Sequence, residues 1–431
     1  MPAVADCTIA AMPPKSESGH QILSDLGVFS AGENELDSGV RKFYIRAKAP
    51  QDENHQTSDI EEILGCLPPS MSREVSLDVL RRLPTILRAE LGKLTITAFR
   101  DRIIDIEPGD TSERMYGMAF DLGTTSVVGS LVDLRTGEQI ASVSAVNPQA
   151  VYGGDLMSRI SYAQFDAKKL QTLRGRILNQ LNEFIDKASE QAAVLPEHIY
   201  KIVIVGNTCM HHICLGIDTS YVGLAPYAPV VRDPIVVAAA ELPIKRAPNA
   251  QVCFLPIVAG FVGADTIAGI IATRIYDSEG IRLLVDIGTN GEVVLGSKGR
   301  LLVCSAPAGP TFEGGQVKHG MRGAVGAIEK VEIDDDVHCQ VIGDVPAIGI
   351  CGSGLIDAAA KMLEAGVIDP AGRLWREAVG PLPEKLAGRI VKDDGGRAFV
   401  LVPRAQSGRD EDVLLTQNDI RQLQLAKAAI Y

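Results

Sequence analysis

Apolar residues in this chain fall mainly in short runs bounded by polar turns, and one arrangement occurs twice. Residues 116–120 (Tyr-Gly-Met-Ala-Phe) and 281–285 (Ile-Arg-Leu-Leu-Val) read as buried strands. The first runs into the turn Asp121-Leu122-Gly123-Thr124-Thr125, the second into Asp286-Ile287-Gly288-Thr289-Asn290-Gly291. Behind each turn come an apolar run, a polar turn and a second apolar run. These are 126–134, 135–138 and 139–146 in one copy, and 292–295, 296–299 and 300–304 in the other. Two copies of strand, acidic turn and hairpin predict a duplicated unit.

The rest of the pattern fills in around these copies. Residues 40–47 read as a strand, 58–67 and 76–91 as helices, and 94–98 with 102–106 as a hairpin about Phe99-Arg100-Asp101. Ser76 is the expected N-cap of the second helix. This makes a small α+β domain over 31–113, ending in the linker-like Pro108-Gly109-Asp110-Thr111-Ser112-Glu113. Residues 1–30 mix Pro, Ser, Gly and acids without periodicity and are expected to be disordered. Further on, 155–165 and 168–193 are expected helices. The second carries apolar residues at 170, 173, 177, 178, 181, 184, 185 and 188, the stripe of a core-facing helix. A buried strand is expected at 201–205. A Gly-rich turn at 259–266 should lead into a helix ending near 275, and another helix should open near Leu355 after Gly352-Ser353-Gly354. The last helix, from 415, has Thr416 as its N-cap and no stop signal before Tyr431.

The acidic turns carry a definite chemistry. Gly123 and Gly288 let backbone N–H groups approach an anion without an intervening Cβ, and Thr124, Thr125 and Thr289 add hydroxyl donors. Asp121 and Asp286 would repel a bare phosphate, so their presence asks for a divalent cation, most simply Mg²⁺ held partly through water. Two such turns facing one another would grip a triphosphate. One Asp-x-Gly-Thr turn alone is equally an ordinary strand connection.

Bulk properties narrow the classes. The net charge is −12 with no basic cluster to offset it, which excludes a general nucleic-acid binder. No apolar run approaches the roughly 20 residues that span a bilayer. The N-terminus lacks a signal-peptide core, so the cytoplasm is the expected location. The eight cysteines, at 7, 66, 209, 214, 253, 304, 339 and 351, form no Cys-x-x-Cys. Cys209 and Cys214 flank His211 and His212, but adjacent helical histidines point about 100° apart. Packing in a partly buried helix is a better explanation of that cluster than a metal.

The duplicated turns resemble the phosphate loops of the superfamily that holds actin, sugar kinases and heat-shock chaperone ATPases. Longer strings narrow the resemblance: Asn147-Pro148-Gln149; Tyr152-Gly153-Gly154-Asp155-Leu156-Met157-Ser158-Arg159-Ile160; Gly206-Asn207-Thr208; Asp286 to Glu292; Gly314 to Gly326; and Cys351-Gly352-Ser353-Gly354-Leu355-Ile356-Asp357. Together, from about residue 30 onward, they resemble the reductive activators of corrinoid proteins, which use ATP to return cobalt(II) corrinoid to cobalt(I). The resemblance implies an actin-like, ribonuclease H-like α/β fold of two lobes, about 114–275 and 276–431, behind the small α+β domain. It also implies a further stretch after Tyr431 with a Gly-Gly loop for adenosine, so the second lobe is expected to be incomplete.

Site residues follow from that resemblance. Asp121, Gly123, Thr124, Thr125, Asp286, Gly288, Thr289, Asn290, Gly291, Gly352, Ser353 and Gly354 are expected to hold ATP, with Asp121 and Asp286 serving Mg²⁺. Asn207 is expected either to contact the γ-phosphate region or to cap a helix. Asp265 and Glu292 are rival water-positioning groups. Arg322, in the Gly-rich stretch 306–326, fits a phosphate contact and a structural salt bridge equally. Family members usually carry an N-terminal iron–sulfur domain. Its cysteine cluster is missing from this sequence, so the electron is expected to come from a separate ferredoxin-like donor. The expected partner is a corrinoid protein in a methyltransferase system, with no nucleic acid and no membrane, and a homodimer is compatible. Two alternatives stand beside this: a small-molecule kinase with Asp265 as base, and a nucleotide-gated binding module without turnover.

Overall fold

The computed structural model describes residues 36–48, 57–89, 92–376, 381–393 and 396–431. The disordered segment expected at 1–30 and the N-terminal Cys7 lie outside them. The described residues form two compact units, one ending at Pro310 and joined by Ala426–Tyr431, the other Thr311–Leu425.

The larger unit begins with strand β1 (Val40–Arg46), helices α1 (Asp59–Gly65) and α2 (Leu77–Ala89), and strands β2 (Lys93–Phe99) and β3 (Arg102–Pro108). The strands make an antiparallel sheet with β2 in the centre. Ile63, Val79, Leu83 and Leu87 from the helices bury against Leu94, Ile96, Ile103 and Ile106. Helix α1 starts in a full capping box between Ser58 and Glu61, a Ser-x-x-Glu signal plain in the sequence. Helix α2 is capped by Ser76, whose hydroxyl accepts from the Val79 N–H at 3.3 Å. The 108–113 segment is fastened rather than loose. Thr95 Oγ1 donates to the Gly109 carbonyl at 2.7 Å and accepts from the Thr111 N–H at 2.9 Å.

Next come β4 (Tyr116–Leu122), β5 (Ser126–Asp133), β6 (Gln139–Val146), α3 (Leu156–Ala163), α4 (Ala167–Ala192), β7 (Ile199–Gly206), α5 (Thr208–Leu215), β8 (Ile235–Ala238), β9 (Gln251–Phe254) and α6 (Ala264–Thr273). The six strands form one sheet in the order β6-β5-β4-β7-β9-β8. β4, β5 and β6 are an antiparallel meander, whereas β4, β7 and β9 run parallel. Helix α4 covers the meander, and all eight positions of its expected apolar stripe are buried. The strand before the Gly-rich turn is β9, and residues 255–258 lie beyond its end. Leu255 onward leaves the sheet because β9 stops where its parallel partner β7 approaches Gly206. A second meander closes the larger unit: β10 (Arg282–Ile287), β11 (Asn290–Ser297) and β12 (Arg300–Pro307).

The smaller unit holds β13 (Ala327–Ile333), β14 (Val337–Val341), β15 (Gly349–Ile350), α7 (Gly352–Glu364), α8 (Glu384–Ala387), β16 (Ile390–Asp393), β17 (Gly396–Val402) and β18 (Val413–Thr416), in two three-stranded sheets. Its core gathers Ile328, Val331, Leu355, Met362, Phe399, Leu401 and Leu415. Most of helix α9 (Gln417–Ile430) belongs here too. Thr416 and Asp419 cap it reciprocally, N–H to side chain, at 3.1 and 2.8 Å.

One polar cluster joins the small α+β sheet to β7. Glu107 accepts from Lys42 Nζ at 2.6 Å and from the Tyr200 hydroxyl at 2.8 Å, and lies 3.1 Å from His198 Nδ1. Burial opposes ionisation of Glu107, but the His198 and Lys42 hydrogen bonds and the Lys42 charge overcome it, holding the carboxyl down at about 2. Burial also holds the Lys42 ammonium below its usual range, even with Glu107 beside it. A lowered carboxyl pKa adds stability that is complete above the unfolded value near 4.3 and is lost as pH falls through about 2. Glu107→Ala strands a buried ammonium, and urea unfolding at pH 7 should show a loss of roughly 3–5 kcal/mol. The wild-type advantage should shrink as the same measurement is moved below pH 4.

Candidate functional site

Parallel pairing brings the first acidic turn to β7. Asp121 lies beside Val205 and Leu122 beside Gly206 in the β4–β7 register, so both strands end at one level. That placement lets one side chain, Asn207, do two jobs. Its Oδ1 accepts from the Met210 N–H at 3.0 Å and caps α5, and its Nδ2 donates to Thr124 Oγ1 at 3.1 Å. The helix-cap reading of Asn207 is met, and the same side chain is tied to the first acidic turn. Gly263 brings in a third element. A Cβ there would lie 2.4 Å from the Asn207 Cα and 2.5 Å from the Gly206 carbonyl oxygen, so only glycine lets the start of α6 press against the β7 turn. Asp265 sits in that first turn of α6, its Oδ1 accepting from the Thr266 N–H at 2.8 Å.

The second acidic turn offers a row across the closing meander. Asp286 on β10 pairs with Glu292 on β11, and Glu292 pairs with Ser305 on β12. Residues directly opposite in antiparallel strands share a face. Ser305 accordingly donates to Glu292 Oε1 at 3.0 Å. The first copy has Val128 and Ser144 in the corresponding register, opposite Asp121 and then Val128. The two copies share a path but not a charge: only the second adds a carboxylate behind its aspartate.

Four carboxylates thus collect in the larger unit. Burial pushes Asp121 up to about 7, and the charges of Asp265 and Asp286 push it further in the same direction. Solvent still reaches Asp121, so this is crowding by protein atoms in a recess rather than enclosure. Burial likewise raises Glu292 to about 7 against the opposing Ser305 hydrogen bond, with Asp265 and Asp286 adding repulsion. Burial raises Asp265 and Asp286 as well. An acidic recess of this kind suits a cation. Among the described residues, however, no three His, Cys, Asp or Glu side chains converge as a metal cage. The donor set therefore fits a hydrated divalent cation completed by ligand oxygens, not one enclosed by protein.

The remaining expected site residues have local explanations on view. Gly123 turns where a Cβ would meet the Ser126 carbonyl oxygen at 2.5 Å, and Gly291 packs against Ile430. Gly288 donates its N–H to the Asn290 carbonyl at 3.1 Å, and the Thr289 carbonyl accepts from Gly309 at 2.9 Å. Gly352, Ser353 and Gly354 lie in the smaller unit, at the start of α7. Cβ atoms at the two glycines would strike the carbonyls of Phe312 and Ile328 at 2.0 and 2.2 Å, so packing alone demands glycine there. His211 and His212 are buried, with His212 Nε2 accepting from the Val230 N–H at 3.0 Å and anchoring the loop before β8. Ser305 escaped the sequence reading because only the β11–β12 register exposes its role. A cavity of about 750 Å³ next to it, lined by Tyr227, Pro229, Phe261 and Val262, was equally invisible.

A carboxyl raised by the fold binds its proton more tightly folded than unfolded. Its stabilising contribution is present below the unfolded value near 4 and is lost as pH rises through about 7. Thermal unfolding of Asp121→Asn and of Glu292→Gln should therefore begin at a higher temperature than wild type at pH 8. The gap should close at pH 5, as circular dichroism melts at the two pH values will register.

Among the described residues no helix is long and apolar enough to cross a membrane. Comparison with known proteins gives one consistent result. Residues 30–113 match the RACo linker region, 116–278 the RACo middle region, and 280–431 the C-terminal domain of RACo, the ASKHA domain. The chain is 37% identical over 343 residues to the corrinoid activation enzyme RamQ of Eubacterium limosum, covering 79% of this chain and 57% of that protein. It is 28% identical over 295 residues to the Co(II) methylated amine-specific corrinoid protein reductase of Methanosarcina barkeri, covering 60% of this chain and 53% of that protein. It thus spans little more than half the length of these relatives. A solved reductive activator for corrinoid, iron-sulfur protein superposes with a TM-score of 0.82 at 36% identity, over 93% of this chain and 64% of that one. With three successive regions of one family matched in order and a mixed α/β fold shared with that structure, this chain belongs to the RACo family of reductive activators of corrinoid proteins.

Proposed function

We propose that the chain acts in the reductive activation of a corrinoid protein, returning cobalt(II) to cobalt(I), and that ATP bound at the two acidic turns powers the step. The observation that carries this reading is the collection of Asp121, Asp265, Asp286 and Glu292 in one unit, their carboxyls pushed upward by burial and, for Asp121, Asp265 and Glu292, also by neighbouring carboxylates. The names of the relatives supply the corrinoid half of the proposal.

In this mechanism Asp121 and Asp286 would hold a hydrated Mg²⁺, and the 123–125 and 288–291 turns would meet the phosphates with N–H and hydroxyl groups. The cation supplies charge neutralisation at the phosphate oxygens. Glu292, tuned near neutrality and fixed by Ser305, takes the proton from a water attacking the terminal phosphorus, and the P–O bond to ADP breaks. Asp265 aligns that water from the start of α6. Binding and hydrolysis then shift a conformational equilibrium by the difference in affinity of its two states for nucleotide. The electron comes from a ferredoxin-like donor, on another chain or in a domain outside these residues, and enters the cobalt centre of the partner. For one electron, about 59 mV matches a factor of ten, or roughly 1.4 kcal/mol. A conformational preference of about 5 kcal/mol would thus shift the cobalt potential by about 200 mV.

A second reading has one observation in its favour. The 750 Å³ cavity that includes Ser305 lies beside Glu292 and offers room for a hydroxyl-bearing small molecule, as a kinase would need. Anaerobic assay with a reductant and candidate corrinoid proteins separates the readings. Cobalt(I) absorbance should appear only with ATP and Mg²⁺, and Asp121→Asn and Asp286→Asn should each slow it by about 10²-fold, the scale for losing one preorganised electrostatic group. ADP release that depends on an added alcohol, without cobalt(I), would favour the kinase. Nucleotide binding with no phosphate release would mark a gated binding module.

A further inference from the structure

Three successive carbonyls of the first acidic turn are held from behind. The Asn147 side-chain amide donates to the Gly123 carbonyl at 2.8 Å, and the Asn147 N–H donates to the Thr125 carbonyl at 2.9 Å. Between them, Arg159 Nη2 donates to the Thr124 carbonyl. Arg159 lies on α3 and is fully buried. Its guanidinium also donates from Nε to the Gly153 carbonyl at 2.9 Å and from Nη1 to Gln149 Oε1 at 3.3 Å. Gln149 is in turn tied to Asn147 Oδ1 through its N–H at 2.9 Å and to the Leu173 carbonyl through Nε2 at 3.0 Å. Gly153 is glycine because a Cβ would come within 2.8 Å of the Arg159 nitrogen.

Burying a guanidinium is expensive; the acceptors named here are neutral oxygens, and the Asp155 carboxylate lies within electrostatic reach. A clamp needed only for packing could be built from neutral donors. What the arginine adds is a planar fork that reaches three acceptors on separate segments at once and sets the orientation of Thr124. Thr124 is also the residue whose hydroxyl Asn207 engages from β7. Resting on the nucleotide reading above, we propose that Arg159 is a positioning residue for polyphosphate: with Asn147 it pins the carbonyl side of the 123–125 turn, so that the turn is set before ligand arrives. Preorganisation of this kind lowers the ordering cost of binding, and its benefit falls on the phosphates alone.

That selectivity supplies the test. MgATP and adenosine binding are measured by calorimetry on the full chain for wild type, Arg159→Lys and Arg159→Gln, with thermal melts as the check on folding. The expected result is MgATP affinity reduced tenfold or more in both variants, with adenosine affinity within twofold of wild type. Lysine keeps the charge but cannot span the three acceptors, so it should rescue only part of the loss. Equal losses for both ligands, or MgATP binding within twofold of wild type in a folded variant, would overturn the proposal. Should neither arginine variant fold, Asn147→Ser releases the Gly123 carbonyl without stranding a charge and is judged by the same two outcomes. Wild type that binds neither ligand would remove the nucleotide reading and this inference with it, a result distinct from failure of the variants alone.

Discussion

The crowding of Asp121, Asp265, Asp286 and Glu292, whose ionisation burial opposes and mutual charge opposes further, is the constraint on which the candidate site depends. Carboxylates this crowded raise one another's pKa, and the fold carries the cost unless positive charge arrives. Nothing in the packing relieves it locally. Asp265 is met by the Thr266 N–H and hydroxyl and its own N–H, and Glu292 by the Ser305 hydroxyl and its own N–H, all neutral donors. Elsewhere the same unit shows how such a charge is accommodated when stability is the purpose. Glu107 is buried too, yet Lys42, His198 and Tyr200 surround it and its pKa falls instead of rising. The contrast between these two acidic environments, one compensated and one left open, separates structural from functional charge more clearly than burial does.

Strand direction decides where that open charge can gather. β4 and β7 are parallel and end level, so the Asp121 turn, Asn207 and the start of α6 meet at one edge, the usual place for a ligand in a sheet of this kind. The closing meander contributes differently, through a cross-strand row of Asp286, Glu292 and Ser305. The duplication is therefore a duplication of path. The first copy is braced by a buried arginine and keeps an apolar Val128 where the second has Glu292. The strings that carried the family resemblance at 147–149 and 152–160 turn out to be that brace.

Much of the architecture was legible because its signals are local. Apolar spacing marked α4 residue by residue, Ser58 and Glu61 announced a capping box, and Thr416 with Asp419 announced another. The acidic turns stood out because glycine, threonine and aspartate together suit few purposes besides anion and cation binding. Less legible was any residue whose importance depends on a partner far along the chain. Ser305 becomes meaningful only opposite Glu292. Gly263 does so only against Asn207, and Arg159 only behind Thr124, 35 residues earlier. The glycines at 352 and 354 looked like a ligand loop in sequence, yet their close carbonyl neighbours give them a packing reason.

The sequence by itself determined the small α+β domain, helix α4, the two acidic turns with their hairpins and the family, since periodicity, capping and turn chemistry act over a few residues. Only the tertiary structure decided which carboxylates repel one another, which serine steadies Glu292 and what holds the first turn from behind. Those depend on strand register and on which backbones approach closely, quantities set by the whole packed core and not by any one stretch of it.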